Sequence, residues 1–152
     1  MTMLHFVEVS PRDGLQNEKA VLATADKVEL VRRAAAAGAR RIEVASFVHP
    51  ARVPQMADAE AVIAAIAPLE GVTTVGLVLN KRGVLRALET AVVELGLVCV
   101  ASDRFGQENQ GQTSEESLEM AADGIRFALA QGRRAQATIA VAFGCPFAGP
   151  TD

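Results

Sequence analysis

The sequence predicts an α/β fold in which parallel strands alternate with helices that cover the sheet. Strand-like segments that are apolar on both faces are separated by helical segments along the whole chain, which is typical of a parallel sheet covered by helices. Polar clusters follow three of these strands, whereas the turns that lead into strands are bland. This asymmetry is typical of (β/α)8 TIM-barrel enzymes, whose sites lie at the C-terminal ends of the strands.

The length of the chain limits how much of a barrel it can form. A (β/α)8 barrel typically takes about 250 residues, and the chain has 152. We therefore expect a single domain, residues 1–152, that contains about four βα units followed by a fifth strand. The unpaired strand edges of such a partial barrel predict association into a homo-oligomer, and the alternative is an open, sandwich-like sheet.

The first strand is predicted over residues 4–9, a β-rich run that ends before Pro11. Thr24 is expected to cap the first helix, which continues into a run of alanines and ends at Gly38. The second strand follows over residues 41–45, which read RIEVA.

The middle of the chain repeats the pattern of loop, helix and strand. Residues 46–56 are predicted as a loop because two prolines interrupt them, and residues 57–67 as a helix that ends before a further proline. The third strand is almost wholly apolar and covers residues 72–79. Asn80 is expected to cap a short helix. Residues 91–100 are predicted to contain the fourth strand, placed over 97–100.

The last part of the chain contains one more helix and one more strand. Residues 102–112 are rich in Asn, Gln and Gly and are predicted as a polar loop. Thr113 and Glu116 have the spacing of a capping box, which predicts a helix that runs to Ala130. The fifth strand is predicted over residues 136–143.

Composition excludes several classes of protein. Half of the residues are hydrophobic, which argues against disorder, and the net charge of −3 with scattered positive residues gives no indication of a nucleic-acid partner. No apolar run approaches the ~20 residues of a membrane span, and the N-terminus lacks the pattern of a signal peptide. A cytoplasmic protein is the expectation. Cys99 and Cys145 are expected to be buried free thiols rather than a disulfide.

Arg12 and Asp13 are the most informative pair of side chains in the chain. They follow the first predicted strand directly, so they lie at the edge of the sheet where α/β proteins bind ligands. A carboxylate there can hold a divalent metal, and an adjacent guanidinium can hold an anionic oxygen. The alternative is a turn closed by a salt bridge, with no role in binding.

Four further residues are expected near this edge. Glu43 lies near the end of the second strand, where it could pair with Arg12 and orient it, or act as an acid or base. Gln16 and Ser46 are candidate hydrogen-bonding groups at the same edge of the sheet, and His49 is a candidate substrate contact. No phosphate-binding loop, dinucleotide fingerprint or zinc spacing occurs.

Four segments, in order, resemble hydroxymethylglutaryl-CoA lyases of the DRE-TIM metallolyase group. They read EVSPRDGLQNEK (8–19), IEVASFVHPARVPQMAD (42–58), ASDRFGQENQGQTSEESLE (101–119) and AFGCPFAGP (142–150). The resemblance covers essentially the whole chain. It implies a (β/α)8 barrel of the pyruvate-carboxyltransferase and lyase type, a divalent metal, Mg²⁺ or Mn²⁺, and cleavage of 3-hydroxy-3-methylglutaryl-CoA to acetyl-CoA and acetoacetate.

The resemblance also implies roles for the candidate residues. Asp13 matches the metal ligand after the first strand, and Arg12 matches the group that stabilises the enolate oxygen of the departing acetyl-CoA. Glu43 matches the active-site carboxylate of the second strand, with Gln16 and Ser46 as lesser members of the same site. An acyl-CoA substrate and a role in leucine breakdown and ketone-body metabolism follow from the same resemblance.

One departure from the family pattern is large. The His-x-His pair and the asparagine that complete the family's metal site, and its cysteine-bearing catalytic loop, have no counterpart in these residues; Cys145 matches an earlier Gly-Cys-Pro instead. We therefore expect weak metal binding and little or no lyase activity from this chain alone. Two alternatives remain: a related lyase or condensing enzyme acting on another acyl-CoA or 2-oxo acid, and a non-catalytic half-barrel that serves assembly or ligand binding.

Overall fold

A parallel sheet of four strands, in the spatial order β1-β2-β3-β4, forms the centre of the chain. The computed structural model describes residues 4–66 and 68–151. The strands are β1 (Arg41–Ser46), β2 (Thr73–Val78), β3 (Glu94–Val100) and β4 (Arg134–Ala140). The helices are α1 (Thr24–Ala36), α2 (Ala59–Ile66), α3 (Lys81–Leu88), α4 (Asp103–Gln110) and α5 (Ser114–Ala130). The parallel sheet with covering helices confirms the predicted fold class.

The core lies between the sheet and the helices on its outer side. β1 and β2 are buried over five consecutive residues each, as expected for strands covered on both faces. Ile42, Ile63 and Leu97 are among the largest fully buried side chains. α5 approaches β3 closely because it carries Gly124, where an added Cβ would overlap the side chain of Leu97. No helix of the described part of the chain is long and apolar enough to cross a membrane.

The predicted first strand over residues 4–9 is wrong in extent. Only Glu8 pairs with the sheet, through a parallel bridge to Ile42: its N–H donates to the Arg41 carbonyl at 2.9 Å, and its carbonyl accepts from the Glu43 N–H at 2.8 Å. The side chains of Leu4 and Phe6, at 97% and 73% exposure, bury no apolar surface that would hold the segment in register.

Thr24 is the first residue of α1 rather than its cap, which is Ala23. Its hydroxyl donates instead to Asp58 Oδ2 at 2.6 Å, so it ties α1 to the segment before α2. The helix predicted over residues 57–67 is shorter, Ala59–Ile66, because a 3₁₀ turn over Pro54–Met56 precedes it; residue 67 lies outside the described residues. The cap at Asn80 is confirmed, since its Oδ1 accepts from the Gly83 N–H at 2.9 Å.

The predicted polar loop over residues 102–112 is a helix, α4, for most of its length. Ser102 caps its N-terminus by accepting from the Phe105 N–H, and Gly111 ends it in the left-handed conformation, with φ 69°. The two caps stabilise a helix that contains few apolar residues. The capping box of Thr113 and Glu116 is confirmed, and α5 ends at Ala130 as predicted.

The bounds of β3 and β4 differ from those predicted. β3 lies within the predicted segment 91–100 but begins at Glu94 rather than at residue 97, because Glu94 already pairs with β2 and β4. The buried Glu94 carboxylate also forms ion pairs with Arg41 on β1 and Arg134 on β4. β4 covers Arg134–Ala140 rather than residues 136–143. The strand ends there because Val141 adopts a positive φ of 52°, which a strand cannot contain.

Candidate functional site

A cavity of about 1040 Å³ lies on the inner side of the sheet, towards the C-terminal ends of the strands. Side chains from the segments that follow the strands line it, together with inward-facing residues of β2, β3 and β4. Five of the six predicted site residues are among its lining: Arg12, Asp13, Gln16, Glu43 and His49. Ser46 is fully buried and is not part of the lining, and its hydroxyl has no hydrogen-bond partner.

A π-helical turn over Ser10–Gly14 positions Arg12 and Asp13. The backbone N–H groups of both residues donate to the Val9 carbonyl, at 3.0 and 2.7 Å, so the chain turns sharply directly after the bridge at Glu8. The Glu8 carboxylate accepts from the Ser10 N–H at 2.8 Å. Hydrogen bonding to Ser10 lowers the pKa of Glu8. This short turn directs two consecutive charged side chains to the cavity.

Arg12 forms ion pairs with both neighbouring carboxylates. Its Nη1 donates to Asp13 Oδ1 at 2.7 Å, and its Nε donates to Glu43 Oε1. The pairing of Arg12 with Glu43 was one of the two roles expected for Glu43. Two contacts on different nitrogens fix the plane of the guanidinium, and the N–H groups of Nη2 have no protein acceptor among the described residues.

Glu43 is a buried carboxyl group that holds its proton more readily than usual. Burial raises its pKa, and this effect outweighs the opposing charge and hydrogen bond of Arg12. Glu43 lies beside a shift in the register of β1 against β2, between Glu43 and Ala45. A buried carboxyl with a raised pKa, on a cavity and in contact with a guanidinium, is suited to acid–base chemistry.

Gln16 and His49 both line the cavity. The Gln16 Oε1 atom is buried without a hydrogen-bond partner. His49 Nδ1 accepts from the Ala51 N–H at 3.2 Å, which assigns the proton of the neutral ring to Nε2. Sequence reasoning missed Arg82 and Asn109, which also line the cavity. The position of Arg82, directly after the third predicted strand and its cap, was a signal that could have identified it.

Two contacts hold the loop that carries His49. On one side, the buried Lys27 Nζ donates to the Gln55 carbonyl and to Asp58 Oδ1, both at 2.5 Å. The Gln55 side chain in turn donates to the Glu18 carbonyl at 2.6 Å, which links this loop to the segment after Asp13. Both segments are therefore anchored to the start of α1.

The other contact is made by Arg86 of α3. Its Nη1 donates to the Val48 carbonyl at 3.0 Å, its guanidinium lies 5.6 Å from the centre of the Phe47 ring, and it forms an ion pair with Glu60. The loop after β1 is thereby held against the start of α3.

The described residues do not fit a complete metal site. A hard divalent cation takes about six oxygen ligands, some of them water. Asp13 is suitable in type, and its side chain is 53% exposed, but Arg12 occupies one of its oxygens. No group of three or more His, Cys, Asp or Glu side chains able to hold a metal occurs in residues 4–66 and 68–151.

The two cysteines are free and buried, as predicted. Cys145 lies in the turn after β4 rather than in a strand, and its Sγ is 3.1 Å from the Ser102 hydroxyl. Burial opposes ionisation of this thiol. Hydrogen bonds from the Ser102 side chain and from the backbone N–H groups of Phe147, Ala148 and Phe105 outweigh this effect and lower the pKa of Cys145. The turn therefore packs against the start of α4, where Phe105 and Phe147 have ring centres 6.2 Å apart.

Comparison with known proteins places this geometry in a family. The model of the family described as HMGL-like matches residues 3–152. A protein of Pseudomonas aeruginosa described as 3-hydroxy-3-isohexenylglutaryl-CoA/hydroxy-methylglutaryl-CoA lyase is 42% identical over 149 residues, which are 98% of this chain and 50% of that protein. The (R)-citramalyl-CoA lyase of Chloroflexus aurantiacus is 38% identical over 167 aligned positions, covering 98% of this chain and 50% of its own length.

A solved structure of a relative has the same fold. An HMG-CoA lyase from Acinetobacter baumannii, in complex with coenzyme A and 3-methylmalate, superposes with a TM-score of 0.91 at 35% identity, covering all of this chain and 51% of that one. The sheet and its helices thus match part of a (β/α)8 barrel. The chain spans about half the length of the relatives it matches.

Proposed function

The chain belongs to the HMGL-like family, and from this premise we propose that it is the N-terminal part of a catalytic barrel that cleaves 3-hydroxy-3-methylglutaryl-CoA to acetyl-CoA and acetoacetate. The observation that carries the proposal is the contact of Arg12 with the buried Glu43 on the cavity wall. It joins a fixed cation to a carboxyl with a raised pKa, which are the two kinds of group that this cleavage requires.

The proposed reaction is a retro-Claisen cleavage. A base takes the proton of the tertiary hydroxyl, and the electron pair left on that oxygen forms the ketone of acetoacetate as the carbon–carbon bond breaks. The electron pair of that bond passes to the departing acetyl-CoA as an enolate, whose carbon then takes up one proton to give acetyl-CoA. Arg12 offsets the negative charge on the enolate oxygen through the N–H groups that the two carboxylates leave free. Glu43 fixes the orientation of Arg12 and is the nearby group that can hold a proton.

The same resemblance implies a divalent cation, Mg²⁺ or Mn²⁺, with Asp13 as a ligand. Because the described residues form no complete site for such an ion, we assign no step of the reaction to it, and a resident metal on Asp13 needs ligands from outside these residues. Gln16 and His49 are proposed as weaker contributors to substrate binding, and Ser46, which is fully buried outside the lining, as a contributor only through the residues around it. Gln16 is included because the residue lines the cavity, although its unpartnered Oε1 is buried beneath the surface.

We further propose that the protein is cytoplasmic, forms homo-oligomers and takes part in leucine breakdown, with no nucleic-acid or membrane partner. The net charge of −3 supports the absence of a nucleic-acid partner. The half-exposed edge strand β4, where Ile139 is a largely exposed apolar side chain, supports association.

Two other functions are supported by particular observations. The similarity to a citramalyl-CoA lyase favours a related lyase on another acyl-CoA. The absence of a metal cluster among the described residues favours a half-barrel that binds an acyl-CoA without turnover. Cleavage of another acyl-CoA in preference to 3-hydroxy-3-methylglutaryl-CoA would favour the first alternative over the proposal. Binding of an acyl-CoA without its cleavage would favour the second.

The experiment is a binding and turnover assay on the purified 152-residue chain. Binding of 3-hydroxy-3-methylglutaryl-CoA is measured by calorimetry, and release of acetyl-CoA is measured with and without Mg²⁺, with citramalyl-CoA as the competing substrate. We expect binding that Arg12→Met weakens, with little release of acetyl-CoA. Arg126→Met is the control and should leave binding unchanged, because Arg126 is an exposed arginine of α5 that pairs with Asp123 and does not line the cavity. Failure to bind the acyl-CoA at all, in a chain with native circular dichroism, contradicts the proposal.

A further inference from the structure

His49 lines the cavity from a tight turn of the loop after β1. Its carbonyl accepts from the N–H groups of Arg52 and Val53, at 2.9 and 3.2 Å, and its Nδ1 accepts from the Ala51 N–H. The neutral ring therefore carries its proton on Nε2. All of these partners lie within four residues of His49, so they fix the ring relative to the turn. The direction of the turn itself depends on contacts with other elements.

The start of this loop is fixed by Phe47, two residues before His49. Phe47 is 2% exposed, and its N–H donates to the Leu77 carbonyl of β2 at 2.8 Å. Its ring lies against Gly76, where an added Cβ would be 2.7 Å from the ring. A Cβ added at Gly83 of α3 would lie 3.0 Å from the Phe47 carbonyl oxygen. The loop thus leaves the sheet from a position packed between β2 and α3.

Arg86 of α3 fixes the peptide group that joins Val48 to His49. Its Nη1 donates to the Val48 carbonyl at 3.0 Å, and its Nε donates to Glu60 Oε1 of α2 at 2.7 Å. Because the guanidinium is planar, contacts on different nitrogens fix its orientation and that of the carbonyl it holds. The Val48 carbonyl and the His49 N–H share one rigid plane. The same contact therefore sets the direction in which His49 leaves the loop.

A second arginine makes comparable contacts at a distance from the cavity. Arg133 donates to three backbone carbonyls of the segment that joins α3 to β3: those of Leu88, Thr90 and Val92. None of these residues lines the cavity, whereas the acceptor of Arg86, Val48, lines it directly before His49. Arg86 itself is not part of the lining. The two arginines thus make the same kind of contact, but only that of Arg86 ends at the candidate site.

We propose that Arg86 is a positioning residue, which directs the Nε2 proton of His49 towards an acceptor oxygen of the substrate. It acts through the Val48 carbonyl and touches neither the substrate nor the reacting atoms. Glu60 supports it by holding the opposite side of the guanidinium. The inference rests on the proposed function, in which His49 contributes to substrate binding.

The first test needs no ligand and observes the imidazole rings by nuclear magnetic resonance. His5 and His49 are the only histidines of the chain, so nitrogen-15 labelling gives two sets of ring signals, and His5 is an internal reference. We expect Arg86→Met to shift and broaden the His49 signals and to leave those of His5 unchanged. Arg133→Met, the matched control, should shift neither. Unchanged His49 signals in a folded Arg86→Met chain overturn the inference.

A milder variant tests the same contact if Arg86→Met does not fold. Glu60→Met removes the carboxylate that orients Arg86, and the Glu60 side chain is 44% exposed, so the chain should tolerate the change. We expect a smaller shift of the His49 signals, in the same direction. Unchanged signals in this variant then overturn the inference. Circular dichroism checks the fold of every variant.

The second test measures the affinity for 3-hydroxy-3-methylglutaryl-CoA by calorimetry. We expect His49→Ala and Arg86→Met each to lose about fivefold in affinity, the loss of one neutral hydrogen bond. The double variant should lose no more than either single variant, because both act on the same contact. Arg133→Met removes the same charge as Arg86→Met and should bind as the unaltered chain does.

Two binding results overturn the inference. Losses that multiply in the double variant show that Arg86 acts independently of His49. An Arg86→Met chain that is less stable but binds with unchanged affinity shows that Arg86 serves stability alone. An unaltered chain that does not bind the acyl-CoA contradicts the proposed function instead, and the imidazole signals then still decide whether Arg86 positions His49.

Discussion

The ion pair of Lys27 with Asp58 anchors the loop that carries His49, and its removal has a calculable cost. Replacing Lys27 by Met keeps most of its volume but removes the bonds to Asp58 and to the Gln55 carbonyl. Breaking a fully buried pair costs about 3–5 kcal/mol. The Lys27 side chain is 5% exposed, but that of Asp58 is 26% exposed, and water can partly replace the lost partner. We therefore expect a loss of about 2–4 kcal/mol in the free energy of unfolding.

The pH dependence of this loss has a definite sign. Burial opposes the charge on Asp58, but the bonds from Lys27 and Thr24 outweigh it and lower the pKa of Asp58 in the folded chain. A lowered pKa gives stability that is complete above the unfolded value, about 3.9, and is lost as the pH falls through the folded value. The difference between the unaltered chain and Lys27→Met is thus largest near pH 7 and shrinks below about pH 4.

The assay is urea unfolding at several pH values, followed by circular dichroism, with two controls. Arg33→Met breaks an exposed pair with Glu29 on the same helix and should cost less than about 0.5 kcal/mol. The double variant Lys27→Met/Asp58→Asn removes both charges and should be less destabilised than the sum of the single variants. A cost below about 1 kcal/mol for Lys27→Met, or a cost that is the same at pH 3 and pH 7, would refute the reasoning.

Three further predictions concern other parts of the chain. Because burial raises the pKa of Glu43, the unaltered chain should lose stability as the pH rises from about 4.3 through the folded pKa. In urea unfolding at several pH values, Glu43→Gln should reduce this dependence of stability on pH. An unchanged dependence in the variant contradicts the prediction. Gly106→Ala places a Cβ against the Gln112 carbonyl oxygen and should cost about 1–3 kcal/mol, measured by thermal unfolding. Gln107 is exposed on the same helix, so Gln107→Ala should leave stability unchanged. Equal melting temperatures of the two variants would disprove the clash. Thr113→Ala removes the capping box of α5 and should cost about 1 kcal/mol, which Thr113→Ser should largely restore.

Local signals in the sequence predicted the features that depend on neighbouring residues. The caps at Asn80 and Thr113 are confirmed because each is made within three residues of the helix start. The contact of Arg12 with Glu43 was one of two predicted roles for Glu43, because Arg12 follows the first predicted strand, Glu43 lies near the end of the second, and the ends of parallel strands meet at one edge. These arguments need only the order of the strands and the chemistry of the side chains.

The features that sequence reasoning missed depend on partners elsewhere in the chain. α4 contains few apolar residues, so its caps at Ser102 and Gly111 and the contact of Phe105 with the distant Phe147 decide its conformation. β4 ends where Val141 adopts a positive φ. A β-branched residue rarely adopts this conformation, so the sequence gives no indication of it. The segment 4–9 fails as a strand because only one of its residues meets a neighbour in the sheet.

The position of β4 at the end of the sheet has a consequence for hydrogen exchange. In a strand, successive N–H groups point to opposite sides. In β4 one set bonds to β3, while the other set has no neighbouring strand among the described residues. Deuterium should therefore enter alternate amides of Arg134–Ala140 at very different rates. A further strand, from a longer chain or a second copy, would slow the fast set alone, so exchange rates report on completion of the barrel without any assay of turnover.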